Sequence, residues 1–267
     1  MPERRIVKED PNEVRITDSK ARTIVSLIAA ALWPFIYCYR YVIPGQSYSL
    51  KIANDFWYLY NCKAYLLDKL SNFHFPLWSP SESAGMPFYS NPFTQVLYIF
   101  NIPLTLFYKA FSGYSYHDHQ VFTVFGLSVF SVGLFFWLRS LNVGIAYALI
   151  TACLIAVNSK MIEILRFPNA VHTVAWVPWI LYGITLAMNG RRPLRAGIVI
   201  FVSSVLMVTA GYPYNAYYSF FLILPYAFVI FWISNSNKEK NCVEGDAGLL
   251  KYSLVIGTSL GLAFAVC

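Results

Sequence analysis

Charged residues are scarce in this chain. Only 12% of its 267 residues are Asp, Glu, Lys or Arg, whereas 57% are hydrophobic. An ordinary soluble domain carries about twice that share of charge, so the composition excludes that class of protein. It predicts an integral membrane protein that is built from transmembrane helices.

The few cysteines exclude two further classes. Five are present, at positions 38, 62, 153, 242 and 267, and they lack the paired spacing of a zinc site. We therefore expect neither a disulfide framework nor structural zinc. The net charge of +7 does not indicate nucleic-acid binding, because the basic residues gather at the N-terminus and in short turns between apolar runs.

The apolar runs predict a topology. A spanning helix needs about 20 mostly apolar residues. Basic turns stay in the cytoplasm, and Arg191, Arg192 and Arg195 form the most basic turn after the N-terminus. This places the basic segment 1–22 in the cytoplasm and the segment 44–119 on the outer side. The candidate spans lie at about 23–43, 120–138, 143–158, 172–188, 195–211, 216–234 and 250–267.

Two apolar runs need separate treatment. A full crossing by 93–111 would break the alternation of sides, and Asn101 and Pro103 near its centre are unfavourable inside a membrane helix. We predict a re-entrant or interfacial segment there, with a complete span as the alternative. The run 250–267 is still apolar where the chain stops, so we expect the N-terminal part of a longer protein.

The outer segment holds most of the polar groups that could do chemistry. Between Lys51 and Leu70, apolar residues recur every three or four positions, which predicts an amphipathic helix at the membrane surface. Asp55 borders the apolar face of this helix, and Asp68 projects away from it. Asp55 is a candidate general base or ligand for a divalent metal, and a solvated or helix-capping acid is the alternative.

The loop that follows this helix is rich in proline, so it cannot be one continuous helix. Trp78 can pack it onto the membrane surface, and Asn91 offers hydrogen bonds. Further along the chain, the sequence His117-Asp118-His119 carries metal-type ligands. Adjacent residues on a helix point apart and no further ligand is evident, so we predict a plain polar turn there.

Several short motifs carry a resemblance to a known family. F-P-L-W-S-P occupies 75–80, A-G-M-P occupies 84–87 and S-N-P occupies 90–92. Asn169 and His172 precede A-W-V-P-W at 175–179, and A-G-Y-P-Y follows at 210–214. In the order of these motifs, the chain from about residue 23 onward resembles the YfhO-type bacterial membrane proteins of the GT-C superfamily of polytopic glycosyltransferases.

The resemblance implies an all-α, GT-C-like bundle of transmembrane helices in the bacterial inner membrane. It implies transfer of a sugar from a polyprenyl-phosphate donor in the membrane lipid to a cell-envelope acceptor on the outer face, with a catalytic acidic residue that maps to Asp55. Lys160, Arg166 and His172 are candidates for contact with the lipid phosphate. The candidate substrate-binding residues are Trp78, Asn91, Arg166, Asn169 and His172.

Two other functions remain open from the sequence. A multi-span transporter or lipid-handling protein would line a path with the polar groups inside its spans. An inactive, truncated relative of the glycosyltransferases would keep the motifs without the activity. The concentration of polar groups in one outer segment favours a site on the outer face.

Overall fold

The structure is a computed structural model that describes residues 20–44, 54–80, 85–111, 113–188 and 193–239. This part is mainly helical, with one short antiparallel pairing of β1 (Trp78–Ser79) with β2 (Met86–Pro87). The helices are α1 (Lys20–Tyr37), α2 (Tyr39–Val42), α3 (Asn54–Ser71), α4 (Asn101–Phe111), α5 (Tyr116–Ser140), α6 (Ile145–Ala156), α7 (Ser159–Glu163), α8 (Pro168–Val174), α9 (Val177–Met188), α10 (Pro193–Thr209) and α11 (Pro213–Glu239). Short 3₁₀ turns occupy Pro92–Thr94 and Ile164–Arg166.

Four helical stretches are long and apolar enough to cross a membrane. They are Lys20–Tyr37, Tyr116–Ser140, Pro168–Met188 and Pro213–Ile233. A fifth crossing is made if Ile145–Ala156 and Ser159–Arg166, which meet at a bend of 41°, act as one span. Helix α10 is apolar but only 17 residues long. These stretches correspond to the predicted spans between 23 and 234.

Several sequence predictions fall outside the described residues. The predicted span 250–267 is one of them. Most of the basic segment 1–22 is another, and so are Arg191 and Arg192, on which the predicted sidedness depends. The sidedness of the bundle therefore stays a prediction.

Helix α5 lies at the centre of the helical bundle. It packs against α1, α6, α8 and α9, while α9 extends the core to α10 and α11. Small residues let the helices approach closely, because a Cβ on Gly133 of α5 would lie 2.6 Å from Nε1 of Trp179. The N-terminus of α5 is closed by a capping box in which Ser115 and Asp118 bond each other's backbone amides.

Helix α11 is joined to this core by a shared hydroxyl group. The hydroxyl of Tyr226 accepts a hydrogen bond from Nε1 of Trp137 on α5 at 2.8 Å and lies 2.6 Å from Oγ1 of Thr185 on α9. Such polar contacts between helices stabilise packing where both lipid and protein are apolar. Much of the remaining surface of α11 is exposed apolar side chain, including Phe221, Phe228 and Trp232.

Helix α3 confirms the periodicity in its sequence. Phe56, Leu59 and Leu66 are buried, and α3 packs against α4, the 3₁₀ turn Pro92–Thr94 and α8. Other segments of the chain therefore cover its apolar face, and its position at the membrane surface stays a prediction. The side chain of Asp68 is 46% exposed, and its Oδ1 accepts a bond of 3.4 Å from the hydroxyl of Tyr108 on α4.

The predicted re-entrant segment 93–111 contains α4 and the irregular chain before it. Helix α4 has 11 residues and so is about 16 Å long. A hydrocarbon core is about 30 Å thick, so α4 cannot cross it alone. Whether the segment enters the bilayer stays a prediction.

Candidate functional site

One cluster brings together side chains from three distant parts of the sequence. Tyr212 lies in the turn between α10 and α11, and its ring centroid is 5.8 Å from that of Phe93, 5.9 Å from that of Phe167 and 6.0 Å from that of Tyr214. Asp55 lies in the first turn of α3 and is exposed. Arg166 ends the 3₁₀ turn before α8. We call Asp55, Arg166 and Tyr212 the outer cluster, after the side of the membrane that the sequence predicts for them.

The electrostatics of Tyr212 indicate that Asp55 and Arg166 each lie within reach of its hydroxyl group. Partial burial raises the pKa of the Tyr212 hydroxyl, and the Asp55 carboxylate raises this pKa further. Tyr214 acts in the same direction as Asp55, and the Arg166 guanidinium acts against both. A carboxylate and a guanidinium thus both act on one phenol, an arrangement that can accept a proton and neutralise a phosphate.

Arg166 remains accessible in this cluster. Its guanidinium carbon lies 4.9 Å from the centroid of the Phe167 ring, and its Nη2 is 3.7 Å from Oε1 of Glu163. Lys160 bonds the other oxygen of Glu163 at 2.8 Å. Lys160 is the more exposed of the two side chains, but its bond to Glu163 is short. Because the contact of Arg166 with Glu163 is longer, Arg166 is the better placed to meet an anionic ligand.

Asn169 is a structural part of the site. It is 2% exposed, and its Nδ2 donates to the carbonyl of Phe93 at 2.7 Å and to that of Gly211 at 3.4 Å. It therefore ties the segment before α4 to the turn that presents Tyr212. Gly211 contributes to the same fit, because its φ is +82° and a Cβ there would clash with the carbonyl oxygen of Pro92.

His172 lies inside the protein, away from the outer cluster. It is fully buried; its Nδ1 is 3.1 Å from the Tyr98 hydroxyl and its Nε2 is 2.9 Å from the Phe122 carbonyl. A carbonyl only accepts, so Nε2 carries the proton and Nδ1 accepts from Tyr98. The predicted contact of His172 with a lipid phosphate is not supported, because both ring nitrogens are bonded within the protein.

Trp78 and Asn91 lie at different distances from Asp55. The carbonyl of Trp78 accepts a bond of 2.9 Å from the hydroxyl of Tyr65, which is about 15 Å along α3 from Asp55. Trp78 is 55% exposed and belongs to another part of the surface. Asn91 is nearer, because its Nδ2 lies 3.4 Å from the Tyr58 hydroxyl, one turn after Asp55.

The described residues do not form a recognisable metal site. They contain no group of three or more His, Cys, Asp or Glu side chains able to hold a metal ion. The electrostatics place Tyr212 near Asp55, and a phenol is not a usual ligand of a hard divalent cation. In the predicted polar turn, Asp118 caps α5 and Nδ1 of His119 is 2.9 Å from the Tyr114 hydroxyl.

The sequence reasoning missed a buried lysine. Lys63 is 2% exposed; its Nζ donates to Oδ1 of Asn101 at 2.7 Å and lies 5.4 Å from the centroid of the Phe122 ring. Burial lowers the pKa of Lys63 to about 7, against a smaller opposing effect of Cys62. A signal was present in the sequence, because Lys63 occupies the polar gap in the apolar series 56, 59, 66 and 70 of α3.

Comparisons of the chain with protein-family models, with curated proteins and with solved structures find no match. The resemblance to the YfhO-type proteins therefore rests on the motifs in the sequence.

Proposed function

We propose that the protein is a GT-C-like membrane glycosyltransferase. In this proposal a sugar passes from a polyprenyl-phosphate donor to a cell-envelope acceptor on the outer face of the bacterial inner membrane. The convergence of Asp55, Arg166 and Tyr212 carries the proposal. The same chemistry is expected of the resemblance, which assigns the acidic residue to Asp55 and an anion contact to Arg166.

The reaction assigns one task to each charged side chain. The Asp55 carboxylate accepts the proton of the acceptor hydroxyl as that oxygen forms its bond to the anomeric carbon. The bond between the anomeric carbon and the phosphate oxygen breaks, and its electron pair leaves with the polyprenyl phosphate. Arg166 stabilises the negative charge that gathers on this leaving phosphate. Tyr212 forms a wall of the site, because aromatic rings surround it on three sides.

Two acidic residues on α3 provide a matched experiment. Radiolabelled sugar is supplied on polyprenyl phosphate to membranes that carry the protein, and transfer to a cell-envelope fraction is measured. We expect Asp55→Asn to lower transfer by at least about 100-fold, the usual contribution of a general base. Asp68→Asn, on the same helix, should leave transfer near the wild-type rate, because the amide oxygen can still accept from Tyr108.

The outcomes show whether Asp55 takes part in the chemistry or whether the substitution only disturbs α3. Equal transfer by the wild type and by Asp55→Asn, at equal amounts of protein, would remove Asp55 from the chemistry. Loss of transfer in Asp68→Asn as well would indicate that α3 as a whole is disturbed.

One observation favours a second candidate function, proton-coupled transport. His119 and His172 lie fully buried in the stretches Tyr116–Ser140 and Pro168–Met188, which are long enough to span, and the buried Lys63 is close to both. Ionisable groups inside spans commonly mark ion or proton paths. Proteoliposomes that hold a pH-sensitive dye test this function. A proton flux above that of protein-free liposomes, lost in His119→Phe, would favour transport over sugar transfer.

A further inference from the structure

Two adjoining cavities lie between α10 and the segment that leads into α4. The larger has a volume of about 630 Å³ and the smaller about 230 Å³. They share Val96, Leu97 and Thr209, so they form one groove. The lining of the larger cavity is mainly apolar and includes Ile102, Leu106, Phe201, Val202 and Val205. The lining of the smaller cavity includes Ser90, Asn91 and Gln95.

Gln95 gives the polar end of this groove an unsatisfied acceptor. Its side chain is 2% exposed, and its Nε2 donates to the carbonyl of Ala210. That bond decides which end of the amide carries the oxygen, since a carbonyl cannot donate. The remaining atom, Oε1, is buried and has no hydrogen-bond partner in the described part of the chain. A buried acceptor without a donor is unfavourable, so a ligand that donates there would be stabilised.

The apolar end of the groove favours a hydrocarbon chain. Most of its side chains belong to α4, to the segment 96–99 before it and to α10, an apolar helix of the bundle. The volume is within the range of about 300 to 1,000 Å³ that is usual for binding sites of small molecules. A ligand that fills both ends must therefore carry a hydrocarbon chain and a hydrogen-bond donor.

We propose that this groove binds a membrane lipid whose headgroup carries a free hydroxyl group. The chain of the lipid lies along α4 and α10, and the hydroxyl donates to Oε1 of Gln95. An ionised phosphate has only acceptor oxygens, so it cannot satisfy this atom. An ammonium group would be buried without a counter-ion, because no carboxylate of the described residues lines either cavity. The proposal does not depend on sugar transfer, since binding can be measured without turnover.

Photolabelling with lipids of identical chains tests the proposal. The protein is placed in liposomes that contain phosphatidylglycerol with a diazirine in its acyl chain, and labelled peptides are mapped by mass spectrometry. Phosphatidylcholine, whose headgroup has no donor, and phosphatidylethanolamine, whose donor is an ammonium group, carry the same diazirine chain in parallel samples. We expect phosphatidylglycerol to label α4 and α10 about fivefold more strongly than phosphatidylcholine, the gain expected of one hydrogen bond.

Two substitutions on α10 locate the label. Val202→Trp fills the groove and should remove most labelling of α4. Ile198 lies one turn earlier on the same helix, is also exposed and lines neither cavity. The lipid should therefore label the Ile198→Trp variant as it labels the wild type. Both positions are on the surface, so both variants are expected to fold.

The proposal is overturned by equal labelling with phosphatidylglycerol and phosphatidylcholine. It is also overturned if the lipid labels α4 as strongly in Val202→Trp as in Ile198→Trp. Labelling by phosphatidylethanolamine that equals labelling by phosphatidylglycerol would show that the site accepts a charged donor, which contradicts the choice of a hydroxyl group.

Discussion

The Nζ atom of Lys63 donates a hydrogen bond of 2.7 Å to Oδ1 of Asn101, and both side chains are 2% exposed. The bond joins α3, which carries Asp55, to the N-terminus of α4. Asn101 in turn donates from Nδ2 to the carbonyl of Gln95, and Gln95 bonds Ala210 beside the turn of Tyr212. The outer cluster is thus connected to the protein interior through a chain of buried hydrogen bonds.

A double-mutant cycle measures the first of these bonds. We expect a coupling free energy of about 1 to 3 kcal/mol between Lys63→Met and Asn101→Leu. This is the range for a hydrogen bond from an amine that is neutral or charged. The free energy of unfolding in detergent is the measured quantity. Lys69→Met, on the same helix but partly exposed, should show a coupling near zero with Asn101→Leu. A similar coupling for both lysines would contradict the assignment.

The stability of the protein should rise with pH because of Lys63. Its pKa is about 7 in the folded protein and 10.5 for a lysine in the unfolded chain, so between these values the unfolded chain binds a proton that the folded chain has released. Stability therefore increases with pH across this window, by up to about 1.4 kcal/mol per pH unit. Below pH 7 the group is protonated in both states, and its burial then costs the most.

Unfolding of the wild type and of Lys63→Met at several pH values between 7 and 10 checks this expectation. The difference between the two slopes isolates Lys63 from the other titrating groups. Parallel pH dependences would show that the lysine is not buried in the folded protein.

Asp55 and Arg166 should shift the titration of Tyr212 in opposite directions. Since the carboxylate raises the pKa of this phenol and the guanidinium lowers it, Asp55→Asn should lower the pKa and Arg166→Gln should raise it. Fluorotyrosine placed at position 212 and followed by ¹⁹F NMR gives the titration directly. Lys160→Gln serves as the control, because Lys160 is paired with Glu163. Shifts of the same sign in both variants would show that Asp55 and Arg166 do not belong to one site around Tyr212.

Gly211→Ala should disturb the outer cluster without removing a polar group from it. The left-handed backbone and the close carbonyl oxygen of Pro92 leave no room for a Cβ, so the turn that carries Tyr212 must move away from Pro92. We expect a loss of sugar transfer of about tenfold or more, because small displacements in a site are costly.

Gly144→Ala is the matched control for this change. Gly144 has a φ of −56°, and the nearest atom to its Cβ would be 3.5 Å away, which is an ordinary contact. Transfer by Gly211→Ala that equals transfer by Gly144→Ala would show that the position of this turn is unimportant.

The sequence predicted the helical bundle well because its signals are local. Apolar runs marked the spans in the described part of the chain to within six residues at either end, and the three- to four-residue period of α3 predicted that helix and its buried face. The same pattern could not show what covers this face, because lipid and protein interior are equally apolar. For that reason the sequence did not indicate that α4, α8 and the 3₁₀ turn Pro92–Thr94 cover this face.

The candidate site was predictable only in part. Asp55 and Arg166 were selected from the sequence, but their approach to the same tyrosine depends on contacts between distant segments. His172 was selected as a ligand contact and is instead bonded to Tyr98 and Phe122. Sequence spacing does not identify such partners, since each lies on another helix or in an irregular segment. Lys63 was overlooked because a basic residue on a surface helix is ordinarily solvated.

The hydroxyl of Tyr226 has a consequence for how α11 is oriented about its own axis. Lipid tails contact every face of a helix with nearly the same energy, so hydrophobicity alone leaves the rotation of α11 almost undetermined. Trp137 and Thr185 meet this hydroxyl from two other helices, and only one azimuth of α11 permits both contacts. A single oxygen atom thus sets the facing of a long helix whose apolar surface is otherwise interchangeable.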